Sequence, residues 1–334
     1  LSSKPSIYAP IGSHKDLLPY LVRRLLENGA NSSFINRLLD PETDSAWLAE
    51  NPYERLKKET KDIPVPKKIF FDRENSSGKD ISEIENLEDL KSKIDNFSGL
   101  KVDAESIYAG RLHANNTEEK AFSISNKCEI GTITLDDPIQ IKKALEKDTL
   151  DEWKEIEVNE RAKILNLIAD DLENNPYELI YFLINEAGKT IQNAIDEIRE
   201  AVDFLRYYSS RSIELFNNTE LNGPTGEDNQ MSFTPKGTFL CISPWNFPVA
   251  ILIGQISAAL SCGNRVIVKP SEYSSILGYL VVKKFHDHGV PISALSLILG
   301  DGLYGDFLTK ISPLHGVAFT AVSYTHLTLP TTPV

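Results

Sequence analysis

The sequence predicts an α/β protein with a doubly wound parallel sheet, preceded by a largely helical segment. From residue 237 to residue 320, short apolar strands alternate with helices in the order β-α-β-α-β-α-β. Strands joined through helices pair in parallel, and helices then cover both faces of the sheet. From residue 136 to residue 216, apolar residues recur at helical spacing instead. Ligands of open α/β sheets bind beyond the carboxyl ends of the strands, so we expect the functional residues there.

The composition argues against several classes of protein. At 334 residues the chain has room for two domains. Its net charge of −13 argues against a nucleic-acid-binding surface on it. It has no apolar run of about 18 residues, and its first residues lack the basic and apolar regions of a signal peptide. Three scattered cysteines do not make a disulfide framework, so we expect a reducing, cytoplasmic location.

Residues 1–40 contain one strongly patterned helix. Its apolar side chains recur three to four residues apart: Leu17, Leu18, Leu21, Val22, Leu25 and Leu26. Elsewhere on the helix, Tyr20, Arg23, Arg24 and Glu27 share one side. Two adjacent planar guanidinium groups could clamp a carboxylate. The alternative is that these side chains form an ordinary solvated helix surface.

Residues 41–125 are polar, charged and irregular, with a proline-rich patch at 63–66. We predict two short helices there, around Ala46–Lys58 and Leu87–Ile94. The stretch has no recognisable catalytic pattern, and we interpret it as a long connector between domains.

We predict a second domain over residues 126–320. It opens with a strand at 131–134, and helices follow at Asp136–Glu146, Asn159–Glu173, Pro176–Ala187 and Ile191–Phe216. Asn159 belongs to a residue type that caps helix N-termini, and we predict that it caps the second helix. The inner face of that helix is formed by Ile164, Leu167, Ile168 and Leu172. Residues 217–230 are rich in turn formers and are predicted to form a loop.

The centre of the predicted sheet is the strand–helix–strand stretch from Phe239 to Glu272. A strand at Phe239–Ser243 leads into Pro244-Trp245-Asn246-Phe247-Pro248, an apolar helix follows, and a second strand covers Arg265–Lys269. The remaining elements are helices at Ser275–His288 and Leu303–Ile311 and strands at Leu295–Leu299 and Gly316–Thr320.

Polar side chains follow the two central strands. Lys269 could hold ribose hydroxyls or a phosphate, and Glu272 could accept both hydroxyls of an adenosine ribose, which favours NAD over NADP. The alternative for this pair is a structural ion pair at the strand end. Asn246 could donate its amide N–H to a developing oxyanion, or it could cap the helix that begins near Phe247.

The other candidate groups carry weaker signals. Gly302 and Gly305 would let the backbone approach a cofactor, but we expect no G-x-G-x-x-G fingerprint, and a Gly-x-Gly pair alone is not specific. The nucleophilic and metal-ligating candidates stand in no cluster: Cys128, Cys241, Cys262, His286 and His288. We interpret the cysteines of apolar segments as packing residues and the two histidines as helix-surface residues, and we predict no metal site.

Several motifs resemble known families. EAGKT at 186–190, SPWNFP at 243–248, VKPSE at 268–272 and GVAFT at 316–320 resemble, in this order, the aldehyde dehydrogenase superfamily. Residues 5–40, with YAPIGSH and YLVRRLLENGANSSF, resemble the last strand and helix of the (β/α)8 barrel of the proline dehydrogenases. The bifunctional proline utilisation A family joins these two enzymes, and EIREAVDFLRYY at 197–208 and GPTGE at 223–227 resemble it too.

The resemblance implies a two-step oxidation of proline. In that family an FAD-dependent half oxidises proline to pyrroline-5-carboxylate, which hydrolyses to glutamate semialdehyde. An NAD-dependent half then oxidises the semialdehyde to glutamate through a cysteine thiolate and a thioester. Carried over by motif, Arg23 and Arg24 would bind the proline carboxylate, Tyr8 and Tyr20 would line that pocket, and Glu27 would support the arginines.

The same resemblance implies the members of an NAD site. They would be Ile242, Ser243, Pro244, Trp245, Asn246, Lys269, Ser271, Glu272, Gly302, Gly305 and Phe319. Asn246 would also be catalytic, because its amide would donate to the oxyanion of the thiohemiacetal. For the intact enzyme the resemblance implies a homo-oligomer in the bacterial cytoplasm, and it allows peripheral contact with the quinones of the inner membrane.

The end of the chain departs from the family pattern. The family continues from GVAFT into Gly-Ser-Thr, an acidic base and the catalytic cysteine, whereas here AVSYTHLTLPTTPV follows Thr320. Ala321 and Val322 stand where Gly-Ser is implied. We interpret residues 321–334 as a non-native tail on a truncated fragment, which would lack the nucleophile and the general base and would be inactive alone.

Two other interpretations stay open. The chain could belong to a stand-alone NAD-dependent aldehyde dehydrogenase of another specificity, with residues 1–125 a divergent extension. It could also be a non-catalytic nucleotide-binding scaffold. A flavin barrel encoded in frame upstream would argue against the first, and NAD titration of binding-site variants would test the second.

Overall fold

The structure, a computed structural model, describes residues 64–112, 116–147, 152–217 and 219–320, together with Ser13, Leu17, Pro41 and Asn51. The chain divides into two compact units, Leu1–Ile63 and Pro64–Val334. Several predictions fall outside the described residues: the helix near residue 20 apart from Leu17, the helix at 46–58 apart from Asn51, which is not helical, the tail at 321–334, and the residues Tyr8, Tyr20, Arg23, Arg24 and Glu27. The fold given below is that of the second unit.

The first elements of this unit form a small mixed sheet. After a 3₁₀ turn at Pro66–Lys68 come helix α1 (Ile84–Asp95) and strands β1 (Val102–Glu105), β2 (Thr117–Phe122) and β3 (Glu129–Leu135). β3 lies in the middle, parallel to β1 and antiparallel to β2. Helix α1 confirms the helix predicted near residue 90. β1 and β2 lie inside the stretch interpreted as a connector, where the sequence predicts no strand, because β2 is exposed on nearly every residue and lacks apolar alternation.

A helical layer follows the small sheet. Its members are α2 (Pro138–Lys147), a 3₁₀ turn at Glu152–Glu155, α3 (Val158–Asn174), α4 (Tyr177–Asn185) and α5 (Ile191–Phe216). All four predicted helices are present, and α5 has its predicted bounds. None of the described helices, in this layer or elsewhere, is long and apolar enough to cross a membrane.

Two predicted details of α3 are wrong. The residue before the helix is Glu157, so Asn159 lies inside the first turn and is not the cap. Leu167 is 50% exposed, whereas Leu165, Ile168 and Leu172 are buried. These three are spaced three and four residues apart, and Leu167 lies about 100° around the helix from Ile168, which turns it towards solvent.

Residues 217–230, predicted as a loop, contain a short hairpin. Strands β4 (Thr219–Leu221) and β5 (Asn229–Met231) pair in antiparallel register. Each strand has three residues, so the turn formers between them dominate the local composition and hide the strands from a pattern search.

The second, larger sheet has four parallel strands in the order β8-β7-β6-β9. Its elements are β6 (Thr238–Ile242), α6 (Ala250–Ser261), β7 (Arg265–Lys269), a 3₁₀ turn at Glu272–Ser274, α7 (Ser275–Asp287), β8 (Leu295–Leu297), α8 (Gly302–Leu308) and β9 (Gly316–Phe319). The predicted alternation of strands and helices is confirmed. The element ends differ from the predicted ones by a few residues.

Helices cover both faces of this sheet. On one face Cys241, Val266 and Val268 pack in a core that includes α3 to α7. On the other face Leu240 and Ile267 pack in a second core with α2 and α8. β7 and β8 extend the sheet on one side of β6, whereas β9 lies on the other, so the strand order reverses between β6 and β9. The carboxyl ends of these strands therefore border the crevice where such sheets bind ligands.

Candidate functional site

The structure brings the predicted strand-end residues together in one row. Lys269, the last residue of β7, pairs in register with Ile242, the last residue of β6. On its other side Ile242 pairs with Phe319, the last residue of β9. The turn after β6 starts with Ser243, whose backbone N–H donates to the carbonyl oxygen of Lys269 at 3.3 Å. This edge of the sheet also carries Pro244, Trp245 and Asn246 in the turn after β6, and Ser271 and Glu272 in the turn after β7.

Lys269 is a buried amine at this edge. Its Nζ lies 3.6 Å from Oε2 of Glu272, whose side chain is partly exposed. Burial lowers the pKa of Lys269, and the carboxylates of Glu272 and Asp301 act against that shift. The ion pair considered as the structural alternative is thus present, yet 3.6 Å is longer than a charge-assisted hydrogen bond of about 2.7–2.9 Å. The lysine is held in place while its N–H groups remain able to donate to a ligand.

Three buried polar atoms near the end of β6 have no hydrogen-bond partner among the described residues. They are Oγ of Ser243, Oδ1 of Asn246 and Oε1 of Gln255. Nε2 of Gln255 donates to the Ile242 carbonyl and to Oγ1 of Thr320, each at 3.2 Å, which holds this side chain between β6 and β9. Because buried polar groups are normally hydrogen-bonded, these atoms are available to accept hydrogen bonds from a polar ligand or from water. Sequence reasoning missed Gln255, although one glutamine within the apolar helix α6 was a usable signal.

Asn246 does not cap helix α6. The helix begins at Ala250, and its first amides are capped by a residue of α5 instead. Glu197 Oε1 accepts from the Val249 N–H at 2.7 Å and from the Ala250 N–H at 3.2 Å. Lys189 places its Nζ 2.5 Å from the other oxygen of Glu197 and 4.2 Å from the centre of the Phe247 ring. The structural alternative for Asn246 is therefore wrong, and Lys189 and Glu197 fix the segment that carries it.

Helix α6 is held at its carboxyl end as well. Trp153 Nε1 donates to the Leu260 carbonyl at 2.8 Å, and Arg161 Nε donates to the Ser261 carbonyl at 3.1 Å. Unsatisfied carbonyls at a helix end need such partners when they are buried. Residues from the helical layer thus cap both ends of the helix that connects β6 to β7.

The start of helix α7 is capped in the same manner. The two carboxylate oxygens of Glu186 accept from the backbone N–H groups of Ile276 and Leu277, each at 2.9 Å. Burial raises the pKa of Glu186 to about 7, and it outweighs the two amide donors, which act in the opposite direction. The EAGKT segment therefore supplies Glu186 to α7 and Lys189 to the α6 cap, two roles that sequence reasoning missed.

The expectation that the chain has no G-x-G-x-x-G spacing is wrong at the turn after β8. Residues 300–305 are Gly-Asp-Gly-Leu-Tyr-Gly, which is the G-x-G-x-x-G spacing, and the segment follows a strand and opens helix α8. A strand before the spacing and a helix after it are part of the context of a dinucleotide site, whereas the acidic residue about 20 positions further on is missing from this sequence. A Cβ at Gly300 would meet the Tyr304 ring at 2.3 Å, so internal packing requires that glycine. A Cβ at Gly305 would meet no atom within 4 Å, although the residue itself is buried, so packing alone does not require that glycine.

The cysteines and the two spaced histidines occupy structural positions. Burial raises the pKa of Cys241 to about 12. Cys262 is half-buried at the end of α6 and its pKa is raised by burial, whereas Cys128 is exposed. Nδ1 of His286 and of His288 each lies within 2.8 Å of a backbone carbonyl oxygen. In the part of the chain that the structure describes, no group of three or more His, Cys, Asp or Glu side chains could hold a metal ion.

Comparison with known proteins gives matches for both parts of the chain. Residues 113–326 match the model of the "Aldehyde dehydrogenase family", and residues 2–37 match that of "Proline dehydrogenase". The bifunctional protein PutA of Escherichia coli (strain K12) is 36% identical over 328 residues, which cover 94% of this chain and 24% of that protein. The 1-pyrroline-5-carboxylate dehydrogenase of Oceanobacillus iheyensis is 31% identical over 240 residues, covering 70% of this chain and 45% of that protein.

Solved structures agree with these matches. Proline utilization A from Bdellovibrio bacteriovorus superposes with a TM-score of 0.69 at 27% identity, over 93% of this chain and 33% of that one. The larger sheet and the helices around it thus have the fold seen in aldehyde dehydrogenases. The chain spans about a quarter of the length of the curated bifunctional relatives that it matches.

Proposed function

The chain belongs to the aldehyde dehydrogenase family, and we propose that residues 126–320 form the NAD-binding part of a dehydrogenase that oxidises glutamate semialdehyde to glutamate. The names of its relatives, PutA and 1-pyrroline-5-carboxylate dehydrogenase, support this substrate. The observation that carries the proposal is the row of Ile242, Lys269 and Phe319 beside the unpartnered oxygens of Ser243 and Asn246. Such a row of strand ends is where an α/β sheet receives a nucleotide.

The residues present fit NAD. Lys269 would donate to the hydroxyls of the adenosine ribose, and Glu272 would accept from them, as the lysine–carboxylate pair 3.6 Å apart permits. Ile242, Trp245 and Phe319 would cover the apolar parts of the nucleotide, and Trp245 and Phe319 are 46% and 42% exposed and so within reach. When bound, NAD supplies the hydride acceptor for the oxidation. Lys269 and Glu272 orient it.

Asn246 would act on the aldehyde. It lies in the turn between β6 and α6, and its Oδ1 has no partner in the described part of the chain. The amide N–H would donate to the oxygen of the aldehyde as negative charge develops there. One such donor is typically worth about 10²–10³ in rate. Because Glu197 and Lys189 hold the turn, the donor would be preorganised before substrate binds.

We also propose a second activity for the intact protein. The match of residues 2–37 to the proline dehydrogenase model supports an FAD-dependent half that oxidises proline to pyrroline-5-carboxylate. Arg23 and Arg24 would bind the proline carboxylate there, beside Tyr8 and Tyr20. The two halves would act in sequence on small molecules, in a homo-oligomer of the bacterial cytoplasm that passes electrons from the flavin to quinones of the inner membrane.

Titration with NAD tests the nucleotide site. The unmodified chain is expected to bind NAD in isothermal calorimetry, and Lys269→Ala and Glu272→Ala are each expected to weaken binding about tenfold or more, because each removes a ribose partner worth roughly 1.4 kcal/mol. Lys310→Ala, which removes an exposed lysine paired with Asp306, is the matched control and should leave the affinity unchanged. Circular dichroism must show that all variants are folded. Equal affinities in folded wild type and both site variants would contradict the assignment.

The 334-residue chain alone is expected not to oxidise glutamate semialdehyde. None of its three cysteines fits the nucleophile, because Cys241 is buried with a pKa of about 12, Cys262 ends an apolar helix and Cys128 is remote in sequence from the site motifs. The measurement is NADH absorbance with purified chain, NAD and the semialdehyde. Turnover above that of a Cys128→Ser, Cys241→Ser, Cys262→Ser triple variant would overturn the expectation.

A further inference from the structure

Asp301 lies beside the proposed nucleotide site, at the end of the neighbouring strand. β7 and β8 are parallel, with Val268 opposite Leu297, and the Ile298 N–H donates to the Val268 carbonyl at 2.8 Å. Lys269 directly follows Val268, and Asp301 comes four residues after Leu297. Both side chains therefore belong to the same edge of the sheet, where the carboxyl ends of parallel strands meet.

The carboxylate of Asp301 is fixed in this position. Its Oδ1 accepts from the Leu303 N–H at 2.9 Å and from the Tyr304 N–H at 3.4 Å, so the side chain caps helix α8. These two backbone donors hold the carboxylate in one orientation. Its charge also acts on the buried Lys269 amine at the end of β7, because it raises the pKa of that amine against the effect of burial.

The charges at this edge do not suit a phosphate on the ribose. Lys269 contributes one positive charge, and Glu272 and Asp301 contribute two negative charges. A 2′-phosphate would add about −1.5 to −2 more. A ribose 2′-hydroxyl carries no charge and can donate to a carboxylate, so it meets no such repulsion.

We propose that Asp301 is, with Glu272, a determinant of cofactor choice that makes this site take NAD and reject NADP. The inference rests on the NAD site proposed above and extends it to a residue outside the lysine–glutamate pair. Its consequence is that replacing Glu272 alone does not open the site to NADP, because the fixed charge of Asp301 remains.

The test uses the full chain in four forms: wild type, Glu272→Gln, Asp301→Asn and the double variant. Asparagine caps helices as well as aspartate does, so Asp301→Asn removes the charge and keeps the cap. Isothermal calorimetry gives the dissociation constants of NAD and NADP, and of 5′-AMP and adenosine 2′,5′-bisphosphate, which report on the adenosine end alone. Asp306→Asn is the control, since it makes the same charge change further along the same helix.

Asp301→Asn is expected to lower the ratio of the NADP and NAD dissociation constants about five- to tenfold while the affinity for NAD changes less than about twofold. The double variant should lower the ratio more than either single variant. In wild type the ratio should also shrink as salt is raised, because the repulsion is screened, and this dependence should weaken in Asp301→Asn. A purely structural cap would not produce that salt effect.

Two other outcomes would contradict the role of Asp301 and the nucleotide site separately. NAD binding with a ratio that Asp301→Asn leaves unchanged, or that Asp306→Asn lowers equally, would overturn the role of Asp301 alone. A folded wild type that binds neither NAD nor 5′-AMP would instead overturn the proposed nucleotide site, and the role of Asp301 with it.

Discussion

Replacing Glu197 with alanine is expected to lower the free energy of unfolding by about 3–5 kcal/mol. The carboxylate is buried between α5 and α6, where it accepts two backbone N–H groups at the start of α6 and pairs with Lys189. Alanine would leave the amine of Lys189 and both amides without their acceptor in a low-dielectric setting. Urea denaturation followed by circular dichroism, with the slope held constant across variants, measures the change.

Two variants control this experiment. Glu197→Gln keeps an acceptor for the Val249 N–H but has no charge to pair with Lys189. Its free energy of unfolding should therefore lie between those of wild type and Glu197→Ala. Asp196→Asn changes the charge of the half-exposed residue that precedes Glu197. Its free energy of unfolding should stay within about 0.5 kcal/mol of the wild-type value. A Glu197→Ala protein less than 1 kcal/mol below wild type would show that the cap does not hold the helix, taking ~1 kcal/mol as the ordinary effect of a substitution.

Glu186 is expected to make the unfolding free energy fall as pH rises from about 4.5 to about 7. Below this window the carboxyl is protonated in both states. Within it the unfolded chain releases the proton while the folded protein keeps it, so the folded state binds more protons and loses stability with rising pH. Above pH 7 the loss is complete and levels off at about 3 kcal/mol, from a pKa difference of about 2.5 units.

The comparison is between wild type and Glu186→Gln over pH 4 to 8. Other carboxyls, such as Asp171 and Glu173, have lowered pKa values and make stability rise with pH instead, but they do so in both proteins. The difference between the two curves therefore isolates Glu186. The glutamine variant should lose the decline while retaining an acceptor for one amide of α7. Parallel curves across the window would contradict the assignment.

The elements that could be predicted are those with a clear apolar period. Helix α5 has its predicted bounds because its buried residues recur at three and four positions over 26 residues. β2 and the hairpin of β4 and β5 escaped prediction because exposed or three-residue strands show no alternation. The misplaced cap at Asn159 has a different cause, since capping residue types also occur inside the first turn of a helix.

Some residues of the candidate site could be predicted from the sequence and others could not. Lys269, Glu272 and Asn246 could be proposed from sequence because strand ends of a parallel sheet are recognisable positions. Glu197 lies 52 residues from the amide that it caps, and Glu186 lies 90 residues from its own. Such pairings depend on how layers pack and leave no local pattern. Gln255 and the six-residue glycine spacing at 300–305 could have been found from the sequence, because the elements around them were predicted.

The attachment of α6 at both ends bears on how this protein is assembled on the ribosome. The residues that contact the ends of the helix, Trp153, Arg161 and Glu197, precede it in the chain and are therefore synthesised before it. The stretch from Thr238 to Glu272 therefore depends on upstream residues and is not expected to fold in isolation. Grafted into another protein without its upstream helices, it would expose an apolar helix with unsatisfied ends, and it would aggregate before it could bind a nucleotide.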